Sequence, residues 1–306
     1  MKAVRIEHLT KRYGEITAIE DMSIEIEANQ IFGFLGPDGA GKTSLFRILC
    51  GILTVTAGKA SIFGLNVLNN PEKIKKELGY MAQKFALYGD LTVKENLDFF
   101  ADLFKTPSQG LARRKIELLK FANLLQFQDW LAGNLSGGMK QKLALCCTLI
   151  HTPKILILDE PTTGVDPVSR QEFWEMLLPL PEQGTTVIVS TAYMDEAAKC
   201  DRIALMNLGK ILKVGSPKEL KQPLTGKIYE VRGEKLIEIQ DTLIDSVKDV
   251  QLFGDRLHVQ LKKEMALNPE EGRIWLKTVL QENGYPVEVS IIEPSLEDVF
   301  VDLLAG

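Results

Sequence analysis

The stretch IFGFLGPDGAGKTSLFRIL, residues 31–49, constrains this chain more than any other. IFGFL is almost wholly apolar and reads as a buried strand, while SLFRILCGIL reads as a helix. Between them GPDGAGKT fits GxxxxGK[ST] through Gly36, Gly41, Lys42 and Thr43. Glycines at such a strand-to-helix turn let backbone N–H groups curl around phosphate at the positive end of the helix. Lys42 would reach the β- and γ-phosphates, and the Thr43 hydroxyl would bind Mg²⁺. The competing reading is a glycine-rich turn with a chance lysine, which the strand and helix on either side disfavour. Gly36, Pro37, Asp38, Gly39, Ala40 and Ser44 complete the candidate nucleotide-binding loop.

A second strand supplies the acids such a loop needs. KILILDEP, residues 154–161, puts four apolar residues before two carboxylates, the pattern of a strand inside a parallel sheet. Asp159 can hold the hydration shell of Mg²⁺ and Glu160 can polarise an attacking water. Two acids buried at a strand end without a cation would be costly. TTVIVST, a short polar helix and DRIALM follow, so strands alternate with helices and an α/β core is expected. A helix-rich insertion spans about residues 84–150, and within it Thr92 and Glu95 form a TxxE capping box.

The texture changes after KQPLTGK, residues 221–227. Residues 1–222 therefore read as one domain and 223–306 as a small α+β domain. In the latter Leu257, Val259 and Leu261 line one face after a Gly-Asp turn, and EEGRIWLKTVLQENG is an amphipathic helix closed by Gly284. Ser295 caps a last helix, with Asp298 three residues on. On that helix Leu296, Val299, Phe300, Leu303 and Leu304 are expected to share a face.

Composition removes several classes of function. A net charge of −5 over 306 residues gives no basic footprint for nucleic acid. Cys50, Cys146, Cys147 and Cys200 show no CxxC spacing and read as reduced core thiols. The start has no secretory h-region, and no run of about 18 apolar residues occurs, so neither export nor a membrane span is expected.

In this order the motifs resemble the nucleotide-binding domain of an ABC transporter. LSGGMKQ, residues 135–141, resembles the family's signature loop. Ser136, Gly137 and Gly138 there open a helix whose donors and dipole aim at an anion. The resemblance implies ATP and Mg²⁺ as ligands, and a second nucleotide-binding domain, since the signature faces the γ-phosphate held by the partner. Gln83 resembles the loop glutamine that touches Mg²⁺ or the water, against the alternative of a surface amide. Tyr13 resembles the aromatic that stacks on adenine, against a tyrosine at a strand edge. TTGVDP implies that Asp166 reaches across the dimer, against an Asp-Pro turn opening a helix. Lys42, Gln83 and Glu160 are the catalytic candidates; Thr43, Gln83 and Asp159 are those for the metal.

Two positions depart from the family pattern. Ala192, in STAYMDEA, stands where the family has a histidine that contacts the γ-phosphate. His8, His151 and His258 all lie far from this motif in sequence. Removing one transition-state donor costs roughly 10² to 10³ in rate, so this chain's own site is expected to hydrolyse slowly. Asp38 stands where an uncharged residue is usual, and an Asp bonded to its own loop amides is the expected form. An intact signature loop beside a slow site is what an asymmetric heterodimer needs, so pairing with a different ATPase subunit or domain is expected, with a homodimer of two slow sites as the rival. The closing PSLEDVF and the STxYMDEA stretch resemble ATPases of drug-efflux exporters, whose permeases are separate proteins. The expectation is thus a peripheral ATPase subunit at the cytoplasmic face of the inner or plasma membrane, held by its permease. Its coupling contacts are expected between about Lys84 and Phe104, with Asp90 and Glu95 among them. The other reading is a regulatory ATP-binding module that hardly turns over.

Overall fold

The computed structural model describes residues 1–84, 87–262 and 268–305. The chain divides into two compact units, Met1–Val214 and Gly215–Gly306.

The first unit holds two sheets. Strands β1 (Lys2–Tyr13), β2 (Ile16–Glu27), β4 (Ala57–Ile62) and β5 (Leu65–Asn66) make an antiparallel sheet in the order β2-β1-β4-β5. In β2 Met22, Ile24 and Ile26 are buried while Ser23, Glu25 and Glu27 are exposed, the period-2 pattern of a strand with one covered face. The second sheet contains β3 (Ile31–Leu35), β6 (Leu78–Met81), β7 (Ile155–Asp159), β8 (Thr186–Thr191), β9 (Arg202–Asn207) and β10 (Lys210–Gly215), ordered β10-β9-β3-β8-β7-β6. Its pairs β9/β3, β3/β8, β8/β7 and β7/β6 are parallel. Every residue of β3, β7 and β8 is buried, which is why these strands read as apolar runs without alternation.

Register brings their carboxyl ends level: Leu35 faces Thr191, and Ser190 faces Asp159. The loops after β3, β7 and β8 therefore emerge along one edge, where open α/β sheets carry their ligands. Helices α1 (Lys42–Leu49) and α2 (Pro71–Glu77) follow in sequence, then the helical insertion. The insertion contains α3 (Val93–Leu103), α4 (Leu111–Phe121) and α5 (Gly137–Leu149). Residues 85 and 86 of the expected 84–150 stretch lie outside the described residues. The Thr92–Glu95 capping box is present in both directions. Buried Asn96 holds the turn before α3: its amide nitrogen donates to the carbonyls of Tyr88, Leu91 and Thr92, and its oxygen accepts from Tyr88 N. Helices α6 (Pro167–Leu177) and the short α7 (Met194–Ala197) complete the unit.

The second unit is an antiparallel sheet ordered β12-β13-β11-β14, from β11 (Ile228–Gly233), β12 (Asp249–Phe253), β13 (Arg256–Gln260) and β14 (Val287–Ile292). Its own core joins Tyr229, Val231, Leu257 and Val259 to Ile239 and Leu243 of α9 (Leu236–Leu243) and to Leu276 and Leu280 of α10 (Pro269–Glu282). Helix α8 (Pro217–Lys221) buries Leu220 and packs on α11 (Leu296–Ala305). The division thus falls ahead of the change in texture at 222 and 223. On α11 the expected stripe is partly covered: Leu296 and Val299 are buried, whereas Leu304 is exposed, because it lies at the edge of the face that Leu296, Val299 and Leu303 share.

Candidate functional site

The loop after β3 turns into α1 through backbone that only glycine fits. Gly41 has φ +98°, and a Cβ there would lie 2.3 Å from the carbonyl oxygen of Ala18. A Cβ on Gly36 would lie 2.3 Å from the carbonyl oxygen of Met206. Ala18 thereby sets how closely the loop closes, a role that no local sequence signal marks. Ala18, Asp38, Gly39, Ala40, Gly41, Lys42, Thr43, Ser44, Gln83 and Glu160 line a cavity of about 370 Å³. Loops distant in sequence thus line one cavity.

Within it Lys42 is buried and donates to the carbonyls of Gly36 (2.7 Å) and Pro37 (3.0 Å). Its Nζ also lies 3.1 Å from Glu160 Oε1. The other Glu160 oxygen accepts from Gln83 Nε2 at 3.0 Å, so Gln83 is no free surface amide. Glu160 has φ +48°, a conformation costing an L-residue about 1 kcal/mol. Its amide donates to Ser190 Oγ at 2.9 Å, which helps hold the turn that aims the carboxylate into the cavity.

Asp159 Oδ1 accepts from Thr43 Oγ1 (3.1 Å) and Ser190 Oγ (2.8 Å). Burial pushes its carboxyl above the usual aspartate value, against the lowering effect of those two hydrogen bonds. Its Oδ2 is buried and has no hydrogen-bond partner among the described residues. An orphaned carboxylate oxygen beside a threonine hydroxyl suits a hard cation with oxygen ligands, directly or through its water. Thr43 and Asp159 therefore fit the requirements of Mg²⁺, and Gln83 lines the same cavity as Thr43. Ser190, absent from the sequence-based candidates, serves both acids; its signal was a polar residue ending an apolar strand.

Tyr13 is 44% exposed at the end of β1. Its hydroxyl lies 3.3 Å from Ser44 Oγ, and Lys11 Nζ stands 4.9 Å from its ring centroid. The ring is thus beside the phosphate loop and open to a planar ligand. Asp38 is exposed and makes no hydrogen bond or ion pair among the described residues, so the expected bonding to its loop amides is not seen. Ala192 follows β8 and is exposed.

The remaining candidates gather elsewhere. Ser136 caps α5 by accepting from Met139 N at 3.3 Å, and Asp166 caps α6 by accepting from Ser169 N at 2.9 Å. That bond to the Ser169 amide holds the Asp166 carboxyl below the usual value. Gly138 packs so tightly on Ser169 that a Cβ would come within 2.3 Å of its side chain. The signature loop and the Asp166 loop thus adjoin each other, and neither Ser136, Gly137, Gly138 nor Asp166 lines the phosphate-loop cavity.

Residues 19–163 match the family described as ABC transporter, and residues 215–304 match the family described as ATP-binding protein DrrA1-3-like, C-terminal domain. The chain is 41% identical over 295 residues to the probable multidrug ABC transporter ATP-binding protein YbhF of Escherichia coli, covering 94% of this chain and 49% of that protein. It thus spans about half the length of that relative. It is 34% identical over 309 residues to the daunorubicin resistance ATP-binding protein DrrA2 of Streptomyces coeruleorubidus, covering 98% of this chain and 94% of that one. Among solved structures it is similar to the dimeric bacterial ABC transporter cassette MJ0796, with TM-score 0.63 and 27% identity over 70% of this chain and 98% of that one. The same cassette is also known as a post-hydrolysis dimer bound to ADP and Pi. By fold, by both family matches and by near full-length similarity to DrrA2, the chain belongs to the ATP-binding proteins of the ABC transporter family.

Proposed function

We propose that this chain is the ATP-binding subunit of an ABC exporter of the drug-efflux type, which binds Mg-ATP at an interface between two cassettes and hydrolyses it to drive a separate permease. One observation carries the reading. The phosphate loop and its carboxylates form one cavity, while Ser136, Gly137, Gly138 and Asp166 adjoin each other outside its lining. Two incomplete half-sites on one chain become complete when a second cassette supplies the missing half. The dimeric state of MJ0796 supports this arrangement, and the names of YbhF and DrrA2 support drugs as the transported class.

In this reading the loop from Gly36 to Ser44 wraps the phosphates, and Tyr13 stacks on adenine. Lys42 leaves Glu160 for the phosphate oxygens, and Glu160 is then free to accept a proton from the attacking water. Thr43, Asp159 and Gln83 would hold Mg²⁺, which when bound would neutralise charge on the phosphate oxygens. Among the described residues no helix is long and apolar enough to cross a membrane. Attachment to the cytoplasmic face of the membrane would therefore run through the permease. The exposed Tyr88, Phe99 and Leu103 offer that permease an apolar surface on the helical insertion.

Ala192 makes this chain the weaker site of an asymmetric pair within that reading, and it also favours a second reading, a regulatory module that binds ATP and barely hydrolyses it. Steady-state ATPase of the purified chain, alone and after co-purification with its membrane partners, tests both. Hydrolysis that rises with the partner supports the subunit, and nucleotide binding without turnover in either state supports the module.

A further inference from the structure

Beside the phosphate site, and outside its lining, lies another buried carboxylate. Glu196 on α7 is 1% exposed. Its Oε1 accepts from Thr162 Oγ1 and its Oε2 from Thr191 Oγ1, both at 2.6 Å. The two threonines are equally buried. Arg170 of α6 supplies the counter-charge: its Nε stands 3.5 Å from Glu196 Oε1. The same guanidinium donates to Asp195 at 2.6 Å and lies 4.1 Å from the centroid of the Tyr193 ring. Thr191 works twice, because its Oγ1 also accepts from Tyr193 N at 3.0 Å.

The partners of this one carboxylate come from segments that are separate in sequence. Thr162 sits between Glu160 and Asp166. Thr191 sits between Ser190, which bonds Asp159 and the Glu160 amide, and Ala192. A buried carboxylate is tolerated when its charge and lone pairs are met. Here two strand ends meet them, so neither loop can shift without stranding an oxygen. Resting on the ATPase reading above, we propose that Glu196 is a positioning residue. It clamps the loop leading to Asp166 and the loop carrying Ala192 into one body, so that the half-site facing this chain's nucleotide and the half-site offered to the partner move together.

The test uses the full chain with Glu196→Ala, Glu196→Gln, Thr162→Val and Thr191→Val. Displacement of a loop by about 1 Å can cost 10²-fold in rate, so Glu196→Ala should lower kcat by about that factor and leave the KM for ATP unchanged. Glu196→Gln should recover most of the loss, since its amide accepts from one threonine and donates to the other. Nucleotide-free hydrogen exchange should quicken in Glu196→Ala across both 160–170 and 190–197. Quickening confined to 190–197, or a kcat loss that Gln does not relieve, would overturn the clamp. Should Glu196→Ala fail to fold, the two near-isosteric threonine variants carry the same expectations. A wild-type chain that never hydrolyses ATP would instead overturn the ATPase reading, and the exchange measurement alone would then decide the clamp.

Discussion

Lys42 and Glu160 form a buried ion pair, Nζ to Oε1 3.1 Å, with side chains 3% and 9% exposed. The pair joins the loop after β3 to the loop after β7, and it occupies the two groups that the proposed chemistry needs apart. In the proposed function phosphate oxygens would compete with Glu160 for the same ammonium, so nucleotide entry would release the carboxylate. Replacing Glu160 by Gln keeps the shape, leaves Lys42 its two carbonyl acceptors and removes the proposed base. General-base removal costs about 10² to 10⁴ in rate. We expect Glu160→Gln to lose hydrolysis on that scale while binding a fluorescent ATP analogue at least as tightly as wild type. Retained turnover would exclude Glu160 as the base.

Ala192 follows β8 at the edge that also carries Asp159 and Glu160, and it is exposed. A larger side chain therefore has room there. Since one transition-state donor is worth roughly 10² to 10³ in rate, Ala192→His should raise single-turnover hydrolysis at least about tenfold without tightening ATP binding. An unchanged rate would show that the chain does not depend on a donor at this position.

Asp90 and Glu95 differ as probes of permease coupling. Glu95 is committed to the helix cap, accepting from Thr92 N at 2.8 Å, and that hydrogen bond holds its carboxyl below the usual value. Glu95→Lys should therefore lower the melting temperature of the unit by losing half of the capping box, whatever it does to coupling. Asp90 is exposed and makes no side-chain hydrogen bond or ion pair among the described residues. Asp90→Lys should lower transport in vesicles carrying the permease, at unchanged ATP binding and unchanged melting temperature; full transport would remove Asp90 from the contact.

In the second unit Asp298 accepts from His258 Nδ1 (2.9 Å) and from the amide and hydroxyl of Ser295. Burial alone would push its carboxyl up, but these hydrogen bonds outweigh it and hold the group below 3.8. A depressed native value means stability that is full above the unfolded pKa and is lost as pH falls through the native one. Asp298→Asn should cost stability at neutral pH and less as pH drops below 3.8, followed as the difference in melting temperature between the two proteins. A difference independent of pH would contradict the linkage.

The features legible in the sequence are those written in neighbouring residues. GPDGAGKT, the TxxE box at Thr92 and Glu95, the Gly254-Asp255 turn and the Ser295–Asp298 cap each declare themselves locally, and each is present. What stayed hidden depends on strands that meet only after folding. Ser190 serves Asp159 because β7 and β8 pair in register, and Ala18 matters because β2 passes behind Gly41. Glu196 reads as one more charge on a short polar helix until Thr162 and Thr191 close over it. Composition could not place α8 either, since its turn residues look like linker while Leu220 is buried within the second unit.

The most direct measurement is ATPase activity per chain across a wide range of protein concentration, with sedimentation in Mg-ATP run alongside on Glu160→Gln. Activity that climbs with concentration or with added partner cassette, together with ATP-dependent association of the variant, is the expected result. Fast hydrolysis that is flat with concentration, from a chain that stays monomeric in ATP, would contradict a nucleotide shared between two cassettes.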